Sequence, residues 1–353
     1  MSELKTNKIS TNDQNNVAID NALNLKSYTT AQRDALTSVA GDMIYNSDDS
    51  KVQVYNGSSW DDLGGVASAE VSYLVIAGGG SGDYNRGGGG GAGGYRNSYA
   101  SEASGGNQST ETPITVVANG LNQYSVSVGG GAGANGNDGN NSTFAFITAQ
   151  GGGGGGAEGQ AGRSGGSGGG GGHSQYAGGV AESPTQGFAG GAAGNQTNGG
   201  GGGGAGQVGA DAPSFSSYGA GNGGDGLASS ITGSSVTRAG GGGGGVYRAD
   251  PPSASAAGNP GNGGGGRGGA RAQAYVVQTP TAGTANTGGG GGGTGSTGET
   301  AGAGGSGVVI LRWATADATI SPTRTGLVDG GVQTDGSDSY IVFTGGTGNI
   351  TFS

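Results

Sequence analysis

The chain has 353 residues, 93 of them glycine and 8 proline, and its 14 basic against 24 acidic residues give a formal net charge of -10. Glycine makes up about a quarter of the chain, against about 7% in ordinary proteins, yet it does not recur strictly at every third position, which excludes collagen. The acidic balance argues against a nucleic-acid or anionic-membrane binder, and the absence of cysteine excludes disulfides and thiolate metal sites.

In chain order, the opening MSELKTNKISTNDQNN lacks an apolar core, so no signal peptide is expected. No apolar run approaches the roughly 20 residues of a transmembrane helix, so no membrane insertion is expected either. Residues 1–66 are polar, rich in Asn and Asp, and poor in glycine. The stretch NNVAIDNALNL alternates apolar and polar residues like a short strand. Thr29 and Gln32 have capping-box spacing, and Ala31, Ala35, Leu36 and Val39 follow at helical intervals, which predicts a short helix over 29–39. GDMIYNSDDSKVQVYNGSSW predicts a hairpin over 43–55. Its acidic turn, NSDDS, either holds a cation or is simply solvated.

From Val71 the pattern changes. VSYLVIA (71–77) is apolar on both faces and ends in glycine. ITVVA (114–118) and YSVSV (124–128) flank a hairpin loop, and the second arm also ends in glycine. STFAFITAQ (142–150) runs straight into six glycines. Further runs lie at 168–172, 199–204, 240–245, 263–266 and 288–293, followed by GSGVVILRW (305–313). VSYLVIA and VVILRW bracket the glycine-rich region and are expected to pair. The tail SYIVFTGGTGNITFS predicts a hairpin with glycine in its turn.

A run of glycines usually reads as a flexible linker. Ordering six of them costs about 10 kcal/mol of backbone entropy, more than one isolated run recovers from hydrogen bonds. Runs packed against one another can recover it, because polyproline-II-type helices point every N–H and C=O outward to neighbouring chains. Similar run lengths, repeated recurrence and direct continuation from strands favour this ordered form. The runs ending in Gly151 and Gly156, Gly199 and Gly204, Gly240 and Gly245, and Gly288 and Gly293 are its candidate helices. The expected fold is mainly β with little helix. A small β-sandwich-like framework, with strands near 71–77, 114–118, 124–128, 142–149 and 307–313, leads into a stack of polyglycine-II helices and a C-terminal hairpin. Three regions are expected: 1–66, 67–313 and 314–353.

Glycine helices carry no side chains, so recognition is expected in the segments between them. These hold His173, Tyr176, Phe188, Phe215, Tyr218, Tyr247, Arg248, Arg271 and Tyr275. Aromatic rings offer flat faces to sugar C–H groups, and arginine offers a fork for carboxylate or phosphate. Each aromatic has an alternative role as a lid over the glycine layer. Catalysis is not expected. A single histidine cannot build a His-rich metal site, and no cofactor is implied. No lysine lies beyond Lys51 to complete a phosphate loop, and strand–helix alternation is absent. Nothing pairs Glu158, Glu182, Asp211, Asp225 and Asp250 as glycosidase carboxylates.

VSYLVIAGGGSG, RGGGGGAGGYR, STFAFITAQGGGGGG and GGSGVVILRW together resemble the glycine-rich domain of bacteriophage tail-fibre proteins and adhesins. LKSYTTAQRDALTSVAGDMIYNSDDSKVQVYNGSSWDDL is similar to a segment common in virion proteins of tailed phages. The resemblance implies packed polyglycine helices whose end loops contact the host surface. The implied partners are a host-cell surface polysaccharide or outer-membrane protein and other virion fibre or tail proteins, with a homotrimer as one arrangement. It also implies a virion location after synthesis in the host cytoplasm. The 1–66 region departs from compact distal adhesins and would serve as the attachment or fibre region. The alternatives are a self-assembling filament or coat protein, and an ice-binding glycine bundle, for which no regular threonine face is visible.

Overall fold

The computed structural model describes residues 24–63, 67–194, 197–213, 219–248, 256–272 and 276–353. Strands hold 30% of the described residues and helices 3%, so the fold is mainly β. The chain divides into two units, Met1–Val66 and Ala67–Ser353. No helix among the described residues is long and apolar enough to cross a membrane.

The first unit comprises β1 (Ser27–Tyr28), α1 (Thr30–Asp34), β2 (Met43–Asn46), β3 (Lys51–Tyr55) and β4 (Trp60–Asp62), with sheet order β1-β2-β3-β4. The hairpin over 43–55 is present as β2 and β3. The capping box is also present: the Thr29 hydroxyl accepts from the Gln32 amide, and Gln32 Oε1 accepts from the Thr29 amide at 3.0 Å. The helix spans five residues rather than 29–39, because it buries none of them and Val39 is exposed. A single turn without tertiary packing does not propagate. In the acidic turn, Asp48 accepts from the Thr30 amide and Asp49 from the fully buried Asn46 amide group, both at 2.8 Å. The strand expected within 15–25 lies mostly outside the described residues.

The second unit contains β5 (Ser68–Ile76), β6 (Tyr95–Asn97), β7 (Ile114–Val117), β8 (Gln123–Ser127), β9 (Ser142–Phe144), β10 (Ile147–Ala149), β11 (Leu227–Ser229) and β12 (Val236–Arg238). It continues with β13 (Val246–Arg248), β14 (Ala270–Ala272), β15 (Val276–Gln278), β16 (Val308–Ala314), β17 (Leu327–Asp335) and β18 (Asp338–Thr351). The main sheet has the order β10-β9-β8-β18-β16-β5-β6, with β7 on β5 and β17 on β18. It curls nearly into a barrel: Arg96 of β6 donates to Thr148 O of β10 at 3.2 Å. The bracketing strands β5 and β16 pair antiparallel, with Leu74 opposite Ile310. Val71, Tyr73 and Val75 face the interior with Phe144, Leu311, Trp313 and Phe352. Leu74 and Ile76 face the other way, against Ile310, Tyr95 and Ile231. Burial on both faces explains the unbroken apolar run. The C-terminal hairpin is β17–β18, turning earlier than the tail sequence implies, at Gly336 and Ser337. Gly336, with φ 62°, supplies the first position of that two-residue turn. Gly346, with φ 88°, bends β18 so that it leaves β17 and continues onto β8.

The glycine runs continue these strands as an array held by main-chain hydrogen bonds, and residues 87–94 lie at its centre. Gly87, Gly90 and Gly93 donate to Thr294, Gly291 and Gly288. Gly88, Gly91 and Gly94 donate to Gly156, Gly153 and Gln150, while Gly89 and Ala92 donate to Gly200 and Gly203. Carbonyls of the same segment accept from Gly242 and Gly245, from Ser167 and Gly170, and from Gly80 and Asp83. Six neighbours therefore surround one chain, and each neighbour recurs at three-residue intervals. That is the period of the polyproline-II-type helix. The run ending in Gly199 and Gly204 repeats the pattern, with Gly199 and Gly202 donating to Gly245 and Gly242. So does the run ending in Gly240 and Gly245, with Gly240 and Gly243 donating to Gly263 and Gly266. Three glycines serve as turns instead: Gly288, with φ 70°, leads into the run ending at Gly293, and Gly263 and Gly264, each with φ 97°, open the 263–266 stretch.

Side chains are excluded from this array. A Cβ on Gly202 would lie 2.0 Å from Gly90 O, and one on Gly242 would lie 2.0 Å from Gly291 O. In both places a Cα hydrogen points at the carbonyl instead, a weak but favourable contact. Gly202→Ala and Gly242→Ala should each lower stability by about 3 kcal/mol or more, because backbone must move. Gly133→Ala, with nothing within 4 Å, should change it by less than about 0.5 kcal/mol. Urea denaturation of the three variants checks the contrast.

Candidate functional site

The runs that leave β5, β8 and β10 travel away from the sheet, and those entering β6, β9 and β16 return to it. The connecting turns at 83–86, 133–137, 157–160, 173–176 and 294–299, together with β13, β14 and β15, therefore gather at the far end of the array. The turns at 182–186, 205–207 and 284–287 lie at the sheet end. Far-end turns are made by left-handed residues, including Asn85, Arg86, Asn135, Ser174 and Gln175. These reverse a chain within a few residues.

Of the residues named from sequence, His173, Tyr176, Tyr247 and Arg271 come to this far end, and Arg248 lies there in β13. Phe188 does not: its amide donates to Gly204 O near the sheet end. Phe215, Tyr218 and Tyr275 lie outside the described residues.

His173 is buried at the end of the 168–172 run. Its Nε2 lies 3.1 Å from Arg86 Nη1 and 3.3 Å from Glu158 Oε1. The Arg86 guanidinium lies over the Tyr247 ring, 5.0 Å from its centroid. Burial, then the neighbouring Arg86 charge, lowers the His173 pKa, with Glu158 opposing. Arg271 forms a separate ion pair with Glu299 at 3.0 Å. Tyr176 is 41% exposed.

Beside this cluster is a cleft of about 390 Å³ lined by Asp83, Tyr84, Asn135, Gln160 and Arg163. Sequence reasoning passed over all five, because each sits in a short interruption such as DYNR (83–86) rather than in a long segment. Such a polar or aromatic insertion between two glycine runs is the signal that marks a far-end turn. Asp83 is buried, and burial raises its carboxyl pKa against the opposing Tyr84 amide and Arg163. Among the described residues, no group of three His, Cys, Asp or Glu side chains could hold a metal.

A family model described as a glycine-rich domain matches residues 56–314, and the chain belongs to that family. No curated protein and no solved structure matches it.

His173 is the sole histidine, so its imidazole signals can be followed alone by NMR. The midpoint should fall below 6.5. Below that value the unfolded chain takes up a proton that the folded one does not, so this group makes acidification destabilising. A midpoint at or above 6.5 contradicts the buried, Arg86-flanked placement.

Proposed function

We propose that this protein is a phage virion tail-fibre or adhesin protein that recognises a receptor on the host-cell surface through the far-end turns of its glycine array. The observation that carries this reading is the concentration of Tyr84, Arg86, His173, Tyr176, Tyr247 and Arg271 at one end of an array packed through its main chain. The first unit, with its likeness to phage virion segments, would attach the protein to other fibre or tail proteins. Several copies on one particle, as in a homotrimer, would multiply weak contacts through avidity. The role is binding without turnover, and the location is the virion.

A self-assembling filament or coat protein is the second reading. The observation favouring it is β17, paired on one side with β18 and exposing Val328 and Val332. A sheet edge of this kind can template pairing with another chain.

Purified protein should adhere to host cells and block phage adsorption to them. Exchanging the turns at 83–86 and 173–176 for those of a relative should change which strains are bound. Concentration-dependent polymerisation without adherence would favour the filament reading instead.

A further inference from the structure

We propose that the cleft formed by Asp83, Tyr84, Asn135, Gln160 and Arg163 is a carbohydrate subsite that takes one neutral hexose unit of a surface glycan. This names the ligand class for the host-surface reading and rests on it.

Asp83 is only 5% exposed, yet it lines the cleft. Its Oδ1 accepts from the adjacent Tyr84 amide at 2.7 Å, and its other oxygen has no hydrogen-bond donor among the described residues. That oxygen is open to the cleft, so a donor entering the cleft can complete the shell of this largely buried carboxylate. The chain holds it in place regardless. The Asp83 amide donates to Gly88 O and its carbonyl accepts from Thr294, so the array fixes both sides of its backbone. Gly136, with φ 69°, lies so close that a Cβ there would stand 2.2 Å from Asp83 Oδ2.

The remaining lining defines what could complete that shell. Arg163 is anchored by donating to Gly136 O at 3.1 Å and by its 3.3 Å ion pair with Asp138. Its guanidinium beside Asp83 disfavours a metal cation, and the Asp83 carboxylate disfavours an anion. A neutral polyol suits both, donating hydroxyls to Asp83 and accepting from Arg163 and Gln160. Tyr84, 44% exposed and part of the cleft lining, offers the kind of apolar ring face that sugar C–H groups pack on. The volume is within the range of small-ligand sites, about 300 Å³ upward. Rigid anchoring on the array reduces the ordering cost of binding.

The test is saturation-transfer NMR of the full chain with glucose, galactose, mannose and N-acetylglucosamine in turn. At least one should receive saturation at its ring hydrogens. Tyr84→Ala and Asp83→Asn should each weaken binding about tenfold or more, the loss expected for one hydrogen bond to a charged group. Tyr84 is exposed and Asn can still accept from the Tyr84 amide, so thermal unfolding should show both variants folded. Silence from all four sugars, or wild-type binding by both variants, would overturn the subsite. Host-cell adherence read in parallel separates the two claims. Adherence by the wild type together with silence from all four sugars overturns the cleft alone. Loss of adherence in the wild type overturns the host-surface reading, while the NMR result still judges the cleft.

Discussion

Everything in the second unit depends on the main-chain hydrogen bond between one glycine run and the next. A polyproline-II-type helix makes no internal hydrogen bond, so its amides and carbonyls are satisfied only by neighbours. Residues 87–94 find them on all sides, with donor–acceptor distances between 2.7 and 3.1 Å to the three acceptor runs. Each bond contributes only about 0.5–1.5 kcal/mol, against about 1–2 kcal/mol of backbone entropy per residue. The array therefore needs help from its ends. The strands supply it: Ala149 precedes the run at 151–156 and is buried in the barrel, and Ile76 precedes the segment at 78–82 and is buried on the other face of the sheet. Runs that emerge from fixed strands have their direction set and less freedom left to lose.

A body built this way sorts side chains by position. Within the array a methyl group meets a carbonyl oxygen at about 2 Å, so side chains are expelled to the two ends. At the sheet end they include small apolar residues, with Ala92, Ala205 and Ala239 packing beside Leu74, Ile76 and Ile310, and polar turn residues such as Glu182, Gln186 and Asn286. At the far end they are polar, aromatic and charged. Turns there can differ in sequence with limited effect on the array, because most of its bonds join main chain to main chain; Asn141 and Asp138, which accept from the Gly151 and Gly154 amides, are side chains tied into it. This separation of scaffold from surface is what the proposed recognition role of the far end relies on.

The strands over 71–77, 142–149 and 307–313 were legible because their residues carry both signals, apolar character and a glycine boundary. The array was legible in outline from run length and recurrence. Its lateral order was not, since which run lies beside which depends on contacts between residues far apart, such as Gly90 with Gly242 and Gly291. The helix after Thr29 was overextended because the capping box fixes a start, whereas the end depends on packing that Leu36 and Val39 do not find. In the tail, the GGTG sequence looked like a turn, but Gly346 bends one long strand instead. Phe188 lies apart from His173 and Tyr176 because direction along the array carries it toward the sheet, which its residue type does not reveal. The cleft was invisible for the same reason: Asp83, Asn135 and Gln160 belong to three turns that only the array brings together.

Amide hydrogen exchange tests the packed array most directly. Gly88, Gly153, Gly202 and Gly242 should exchange as slowly as the buried strand β16, opening only when the whole unit unfolds. Exchange of these four amides at free-peptide rates, while β16 stays protected, would show that the runs are flexible connections and would contradict the account.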